Sequence, residues 1–261
     1  MFLNGILTNG EIWHNVKKCE IEELEELDRS LLRKILNVPV TTPKEALYLE
    51  LGILPIGIVI KARRIMYLHY LLNLEKSEML HKFFVIQWNN PTKGDWSELV
   101  KEDLDDFNIK KDLEEIKCKS KQSLKKLVKN QAKQITLDNL TSLKDKHTKM
   151  ENLHYSEMKI QDYLKSETIN MKEALNIFKF RSHMAKFGEN YKAGADYILC
   201  PLCLEDLDNQ EHSYKCKIII QELEIKGEIA EVYSDHVSKQ TAITVTKIVN
   251  LRRKLLEKDD I

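Results

Sequence analysis

Four residues in the last third of the sequence have the types and the spacing of metal ligands. They follow the pattern C-x2-C-x8-H-x3-C and are Cys200, Cys203, His212 and Cys216. A C-x2-C pair lets one tight turn present two thiolates to the same ion, and the His–Cys pair completes a tetrahedron. Because protein side chains then fill all four positions, the pattern predicts one structural Zn²⁺ ion rather than a catalytic metal. The alternative is a chance grouping of thiols with a surface histidine.

The segment between the two ligand pairs is acidic. It carries Glu205, Asp206, Asp208 and Glu211. Protein side chains that contact phosphate directly are mostly Lys and Arg. We therefore do not expect this loop itself to contact nucleic acid.

A long basic segment lies upstream of these residues. Positions 117–133 contain seven lysines and no acidic residue. A helix would place four of them in one row, here called the lysine ridge, which consists of Lys121, Lys125, Lys129 and Lys133. The opposite, buried face is expected to consist of Leu124, Leu127, Val128 and Ile135. The lysine ridge would contact phosphates in a salt-dependent manner, and the alternative is a merely solvated helix face.

Two smaller basic clusters extend the nucleic-acid hypothesis. Arg63 and Arg64 lie in an otherwise apolar helical segment, and residues 178–181 alternate aromatic with basic side chains. Such mixtures suit base stacking combined with phosphate contact. The predicted nucleic-acid contacts are, in full, Arg63, Arg64, Lys119, Lys121, Lys125, Lys129, Lys133, Lys179, Arg181 and Lys186.

The elements that must position these residues are predicted to be helices throughout. Apolar residues recur at helical spacing over 20–36, and Thr42-Pro43-Lys44-Glu45 has the pattern of a capping box for a helix that ends at Gly52. Pro55 opens a helix that reaches about residue 74, and Asp95 begins another. Further helices are expected at 121–143, 156–165, 171–187 and 238–257. The fold class is therefore all-α with a small zinc-knuckle insert.

Composition restricts the function further. The chain has 261 residues with 41 basic and 41 acidic side chains, so any electrostatic attraction must be local. The longest apolar stretch, 51–60, is too short for a membrane helix of ~20 residues. Five cysteines do not form the even framework of a small secreted domain, which indicates an intracellular protein, nuclear or cytoplasmic. No phosphate-binding loop or nucleophile motif is present, so we expect neither enzymatic activity nor a small-molecule substrate.

Several motifs resemble the C-terminal part of non-LTR (LINE-type) retrotransposon reverse transcriptases, over nearly the whole chain. In chain order they are Asn4-Gly5-Ile6-Leu7, Glu11-Ile12-Trp13, Leu31-Leu32-Arg33-Lys34-Ile35-Leu36, Glu45-Ala46-Leu47-Tyr48-Leu49-Glu50-Leu51-Gly52, Ala62-Arg63-Arg64, Tyr67-Leu68-His69-Tyr70, Lys93-Gly94-Asp95-Trp96 and Cys200-Pro201-Leu202-Cys203 with His212 and Cys216. The last group resembles the zinc knuckle of these polyproteins.

The resemblance implies a region that grips RNA and DNA without catalysing polymerisation. The metal-binding aspartates of the family's palm have no counterpart in this sequence. The implied organisation is a thumb-like helical region at 1–90, a basic nucleic-acid-binding region at 91–188, a CCHC zinc knuckle at 189–220 and C-terminal helices at 221–261. The expected partners are RNA and/or DNA, with no membrane. The alternatives are a zinc-stapled protein-interaction scaffold and a non-functional retroelement remnant.

Overall fold

The structure is a computed structural model of the 261-residue chain, and it describes residues 7–14, 16–145, 150–191, 198–225 and 227–257. Within these ranges the regular structure is helical, without any β-strand, and extended pairing is limited to an isolated antiparallel bridge between Leu199 and Leu207. The all-α prediction is confirmed. No helix in these ranges has both the length and the apolar character needed to cross a membrane.

The helices follow one another with short connections after a 3₁₀ turn at Gly10–Ile12. In chain order they are α1 (Lys18–Leu36), α2 (Lys44–Leu51), α3 (Ile56–Leu72), α4 (Met79–Asn89), α5 (Trp96–Asp106), α6 (Leu113–Cys118), α7 (Lys121–Lys144), α8 (Asp162–Lys165), α9 (Met171–Arg181), α10 (Gly188–Tyr191), α11 (Gln210–Ser213), α12 (Lys217–Glu222), α13 (Ala230–Tyr233) and α14 (Lys239–Leu256).

The chain forms two compact units, each built from two separated segments. Unit 1 consists of Met1–Asp28 and Leu54–Asn139, and unit 2 of Arg29–Ile53 and Leu140–Ile261. The sequence predicted four consecutive regions, at 1–90, 91–188, 189–220 and 221–261. The observed units differ because packing between distant segments, which no local pattern reveals, decides which helices share a core.

Unit 1 has its core between α3, α5, α6 and α7. Buried apolar side chains from these helices and their connections form one cluster that includes Ile65, Leu68, Phe107, Leu124 and Val128. The start of α5 is fixed as predicted, since the Asp95 side chain accepts a hydrogen bond of 2.9 Å from the backbone N–H of Glu98. The predicted long helices at 55–74 and 121–143 are confirmed as α3 and α7.

Sequence reasoning missed α4. This helix has apolar side chains on most of its surface, so it lacks the alternation of polar and apolar faces that reveals an amphipathic helix. Met79, Phe83 and Ile86 are all more than half exposed.

In unit 2 the structure differs from three local predictions. Thr42 does not cap α2; Pro43 occupies the N-cap position, and the Thr42 hydroxyl donates to the carbonyl of Pro39 at 2.7 Å. The helix expected at 156–165 is reduced to the single turn α8. The helix expected at 171–187 begins with the predicted Asn170 cap but ends at Arg181, because the backbone at His183 adopts a positive φ of 54°.

A fully buried ion pair joins α2 to α9 in unit 2. The Arg181 Nε donates to Glu50 Oε1 at 2.8 Å, and both side chains have no exposed surface. The hydroxyls of Tyr155 and Tyr163 donate to the same carboxylate at 2.6 and 2.7 Å. Arg181 Nη1 donates to the carbonyls of Val232 and Ser234 at 2.8 and 2.9 Å. Burial alone would lower the pKa of Arg181, but the facing Glu50 carboxylate raises it, so the guanidinium stays charged.

The Arg181→Met substitution tests the importance of this pair. It leaves the Glu50 carboxylate buried without its counter-charge, which typically costs 3–5 kcal/mol. We expect a loss of that size in the free energy of unfolding, measured by urea denaturation. Lys165→Met is the control, because it breaks the more exposed Lys165–Asp162 pair, worth about 0–1 kcal/mol. Equal stability of the two variants would contradict a structural role for Arg181.

Candidate metal centre and basic groove

The four predicted ligands converge in unit 2. One ligand atom from each of Cys200, Cys203, His212 and Cys216 lies within 4.8 Å of every other. The sulfurs of Cys200 and Cys216 are 3.9 Å apart, and the Cys203 sulfur is 3.2 Å from His212 Nε2. Thiolates bound tetrahedrally to one zinc ion at ~2.3 Å would lie about 3.8 Å apart. The cluster therefore has the dimensions of a site for one metal ion.

Local backbone hydrogen bonds bring the two ligand pairs together. The N–H of Leu204, a residue with a positive φ of 58°, donates to the carbonyl of Cys200 at 2.8 Å. The N–H of Cys200 donates to the carbonyl of Asp206 at 2.7 Å and closes the loop. On the other side, α11 is capped by the Asn209 side chain, and the N–H of Cys216 bonds to the carbonyl of His212 at 2.7 Å. The tight turn presents Cys200 and Cys203, α11 presents His212, and the N-cap position of α12 presents Cys216.

The ligands differ in how readily they ionise. Burial raises the pKa of the Cys200 thiol to about 11. Burial also disfavours ionisation of Cys203, but hydrogen bonds from the backbone N–H groups of Glu205 and Asp206 outweigh it and lower the pKa of Cys203. Metal binding requires thiolates, so a bound ion must displace protons, and its affinity decreases as the pH falls.

A buried arginine lies beside the cluster. Arg252, on α14, has Nη1 3.9 Å from the Cys200 sulfur, and its guanidinium pairs with both carboxylate oxygens of Asp208 at 2.9 and 3.0 Å. Asp208 also accepts a hydrogen bond of 2.6 Å from the backbone N–H of Gly188. Three thiolates and a divalent ion together carry one net negative charge, which the adjacent guanidinium offsets. Sequence reasoning missed Arg252, since 36 residues separate it from Cys216.

Three acidic side chains of the loop between the ligand pairs have partners within the protein. Asp206 lies 3.4 Å from His212 Nδ1, where it can hold the imidazole so that Nε2 faces the thiolates. Asp208 is held by Arg252, and Glu205 pairs with Lys217.

The lysine ridge lies on α7 in unit 1. Lys121, Lys125 and Lys129 are exposed and Lys133 is half-buried. No carboxylate of the described residues lies within 4.0 Å of any of these four ammonium groups. Each of the last three lysines directly follows a buried residue, namely Leu124, Val128 or Ala132. Successive helical residues are about 100° apart around the axis, so the ridge flanks the buried face, whereas the sequence had placed the two on opposite sides.

Because the ridge borders the core, it forms one side of a groove. This basic groove has a volume of about 750 Å³ and runs between α3 and α7 within unit 1. Lys121, Lys125 and Lys129 line it from α7, and Arg63, Tyr67 and Tyr70 line it from α3. Glu11 also borders it.

Three of the predicted nucleic-acid contacts are side chains that bind groups within the protein. Arg181 is fully buried against Glu50, so its predicted contact with nucleic acid is wrong. Arg64 is nearly buried and pairs with Asp103 at 2.6 and 3.0 Å, which removes it from the predicted surface as well. Arg63 lines the basic groove, but its Nη1 donates to the carbonyl of Leu7. These side chains stabilise helix packing because their charges face internal acceptors.

The remaining predicted contacts have mixed environments. Lys119 forms a 2.6 Å ion pair with Glu115. Lys186 is exposed, and Lys179 is half-buried in unit 2. Burial and then the nearby charge of Lys186 lower the pKa of Lys179.

The fold and the site define a helical protein with a Cys₃His cluster able to hold one metal ion. No family model, curated protein or solved structure matches the chain. The resemblance to reverse transcriptases therefore stays a prediction.

Removing one ligand should abolish metal binding. We expect the unsubstituted protein to carry about one equivalent of metal, measured by elemental mass spectrometry. Cys203→Ser and Cys216→Ser each remove one of the four ligands, so both purified variants should lose it. Cys118→Ser is the matched control, because Cys118 is an exposed thiol in unit 1. Full metal retention in both ligand variants would refute the site.

Removing the adjacent positive charge should weaken metal binding without abolishing it. Groups that support metal ligands typically contribute 10–100-fold in affinity, so we expect Arg252→Met to lower metal affinity by about that factor in a chelator competition assay. Arg253→Met is the control, since Arg253 is the exposed neighbour on the same helix. An unchanged affinity in Arg252→Met would show that the guanidinium does not stabilise the thiolates.

Proposed function

We propose that this chain binds RNA or DNA through the lysine ridge and contains one structural Zn²⁺ ion. The observation that carries the binding proposal is the row of ridge lysines without carboxylate partners among the described residues. Some other lysines of the chain form pairs, such as Lys119–Glu115, Lys111–Asp105 and Lys165–Asp162. The ridge differs from the remaining exposed lysines because its members form one row on a single helix. A row of unpaired ammonium groups is suited to the regularly spaced charges of a phosphate backbone.

The charge balance of the chain supports the same proposal. Basic and acidic side chains are equal in number, yet 117–133 contains lysines and no acid. Acidic side chains are therefore concentrated elsewhere, and the local field along 117–133 is positive. Such a field attracts a polyanion even though the whole molecule is neutral.

Zinc is the proposed metal because of the donor set. Three thiolates and one imidazole are soft or borderline ligands that favour Zn²⁺ over Ca²⁺ or Mg²⁺. With four protein ligands no position is open to water or substrate, so the ion would connect the loop at 200–206 to α11 and α12 rather than catalyse a reaction. Elemental analysis of the purified protein tests the identity of the metal directly.

The resemblance to non-LTR reverse transcriptases adds the proposed context. A fragment with thumb-like and zinc-knuckle motifs, but without palm aspartates, would hold template RNA or target DNA without polymerising. The competing proposals are a zinc-stapled protein-interaction scaffold without nucleic-acid affinity and a retroelement remnant without function.

Neutralising the lysine ridge should weaken binding to all nucleic acids alike. We expect the quadruple variant Lys121→Gln, Lys125→Gln, Lys129→Gln and Lys133→Gln to reduce affinity for structured RNA and duplex DNA. The slope of log affinity against log salt should fall by about 0.9 per lost contact on duplex DNA and about 0.7 on single strands. Fluorescence anisotropy titrations at several salt concentrations measure both quantities.

A charge-matched control separates this effect from a general loss of positive charge. The variant Lys82→Gln, Lys93→Gln, Lys110→Gln and Lys126→Gln removes four exposed lysines of unit 1 that do not line the basic groove. It should bind nucleic acid nearly as the unsubstituted protein does. Unchanged affinity in the ridge variant would favour the scaffold or the remnant and end the binding proposal.

A further inference from the structure

We infer that the basic groove is a binding site for single-stranded nucleic acid, with one base stacked on Tyr70 and the phosphates along Lys121, Lys125 and Lys129. This inference rests on the proposed function and specifies its ligand.

The first observation is an aromatic platform held rigidly at the groove. Tyr70 is 52% exposed, and its ring stacks on that of Tyr67 with a centroid distance of 5.7 Å and an interplanar angle of 23°. The Tyr67 ring meets Trp96 edge-to-face at 5.7 Å. Trp96 in turn donates from Nε1 to the carbonyl of Glu11 at 2.7 Å. The exposed ring is therefore the last of a packed aromatic series, and a ligand would not need to order it.

The Tyr67 side chain carries no negative charge at neutral pH. Burial, followed by the proximity of Tyr70 and Glu11, raises the pKa of Tyr67, so its hydroxyl stays protonated. A planar base can therefore approach the stacked rings without repulsion from a Tyr67 phenolate.

The second observation is the apolar surface between the aromatic side and the basic side. Ala62 and Met66 of α3 and Val128 and Ala132 of α7 line the groove. In a duplex the base faces are stacked on one another, and only base edges and phosphates are available. An apolar lining would therefore add little affinity for a duplex, whereas a single strand can bury its base faces against the lining.

The third observation is the spacing of the basic side. Residues four apart on a helix are separated by about 6 Å along its axis, so Lys121, Lys125 and Lys129 cover about 12 Å. One strand of B-DNA rises ~3.4 Å per nucleotide and would place three to four phosphates along that length, and a more extended single strand would place fewer. The groove volume of about 750 Å³ is within the ~300–1,000 Å³ of typical ligand sites. Together these dimensions suit a short single-stranded segment.

An acidic peptide is the other polyanion that the lysines could bind. It would use the ammonium groups but has no obligatory planar groups for the stacked tyrosines. The aromatic platform therefore favours nucleic acid, and the experiment includes polyglutamate so that this alternative is tested.

The experiment compares the full-length protein with its Tyr70→Ala variant in anisotropy titrations. The labelled probes are (U)₁₂, (dT)₁₂ and a mixed-sequence duplex of 12 base pairs. Loss of one base–aromatic stack should weaken binding to the single strands about tenfold. Binding to the duplex should change less than about twofold, because its bases cannot reach the ring. The two single-stranded probes distinguish RNA from DNA as the ligand.

Two variants control for non-specific effects. Tyr70→Phe retains the stacking surface and should bind single strands as the unsubstituted protein does. Phe83→Ala removes another exposed aromatic ring of unit 1 that does not line the groove, and it should leave all affinities unchanged. Matching thermal unfolding by circular dichroism would show that Tyr70→Ala is folded.

Three outcomes would overturn the inference. In the first, Tyr70→Ala binds single strands with unchanged affinity while the quadruple ridge variant still binds more weakly. That result would contradict the stacking site but not the proposed function. The second is an abasic 12-residue oligodeoxynucleotide that binds as tightly as (dT)₁₂, since bases would then contribute nothing. The third is polyglutamate displacing (U)₁₂ at equal charge concentration, which would assign the groove to acidic peptides. If the ridge variant also binds every probe normally, the proposed function fails as well.

Discussion

Two opposite charges without any exposed surface constrain the whole of unit 2. Removing the Glu50 carboxylate and the Arg181 guanidinium from water costs several kcal/mol for each ion, and only close mutual contact with further hydrogen bonds offsets that cost. The tyrosine hydroxyls and the carbonyls of Val232 and Ser234 supply those bonds. The pair thus requires α2, α8, α9 and the end of α13 to be in place together. A residue that looks like a surface cation in the sequence is, in the structure, part of the core.

The metal cluster adds a second constraint of the same kind within unit 2. With a metal ion bound, its three thiolates would concentrate negative charge in a buried place, and the Arg252 guanidinium of α14 lies 3.9 Å from the Cys200 sulfur, where it would offset that charge. Asp208 fixes that guanidinium and also binds the backbone at Gly188. A bound ion would therefore stabilise more than its own loop, because α14 and the segment before the knuckle share its electrostatic surroundings.

Unit 1 shows how one helix can contribute to a core and border a groove at once. The buried side chains of α7 recur nearly every turn, and three of the four ridge lysines follow them by one residue. The lysines are therefore turned by about 100° from the core, not by a half-turn. Because the angle is about 100° and not 180°, the lysines can border a groove with α3. On the far side of the helix the same charges would face only solvent.

The sequence by itself determined the features that depend on local spacing. The metal ligands, the all-α class, the Asp95 and Asn170 caps and most boundaries of α1, α3, α7 and α14 follow from patterns within a few helical turns. A C-x2-C turn or a helical stripe involves neighbouring residues, so its geometry is contained in the local chain.

Only the tertiary structure decided which charges are available and which are internal. Arg181 pairs with Glu50, which is 131 residues away in the sequence, and Arg64 pairs with Asp103, which is 39 residues away. Arg252 lies against Cys200, which is 52 residues away. No local spacing encodes such pairs, because they depend on how distant helices pack. The same holds for the groove between α3 and α7, whose aromatic and basic sides come from separate segments. A basic residue in a sequence is thus a candidate contact, and the partners that folding brings to it decide whether it can bind anything else.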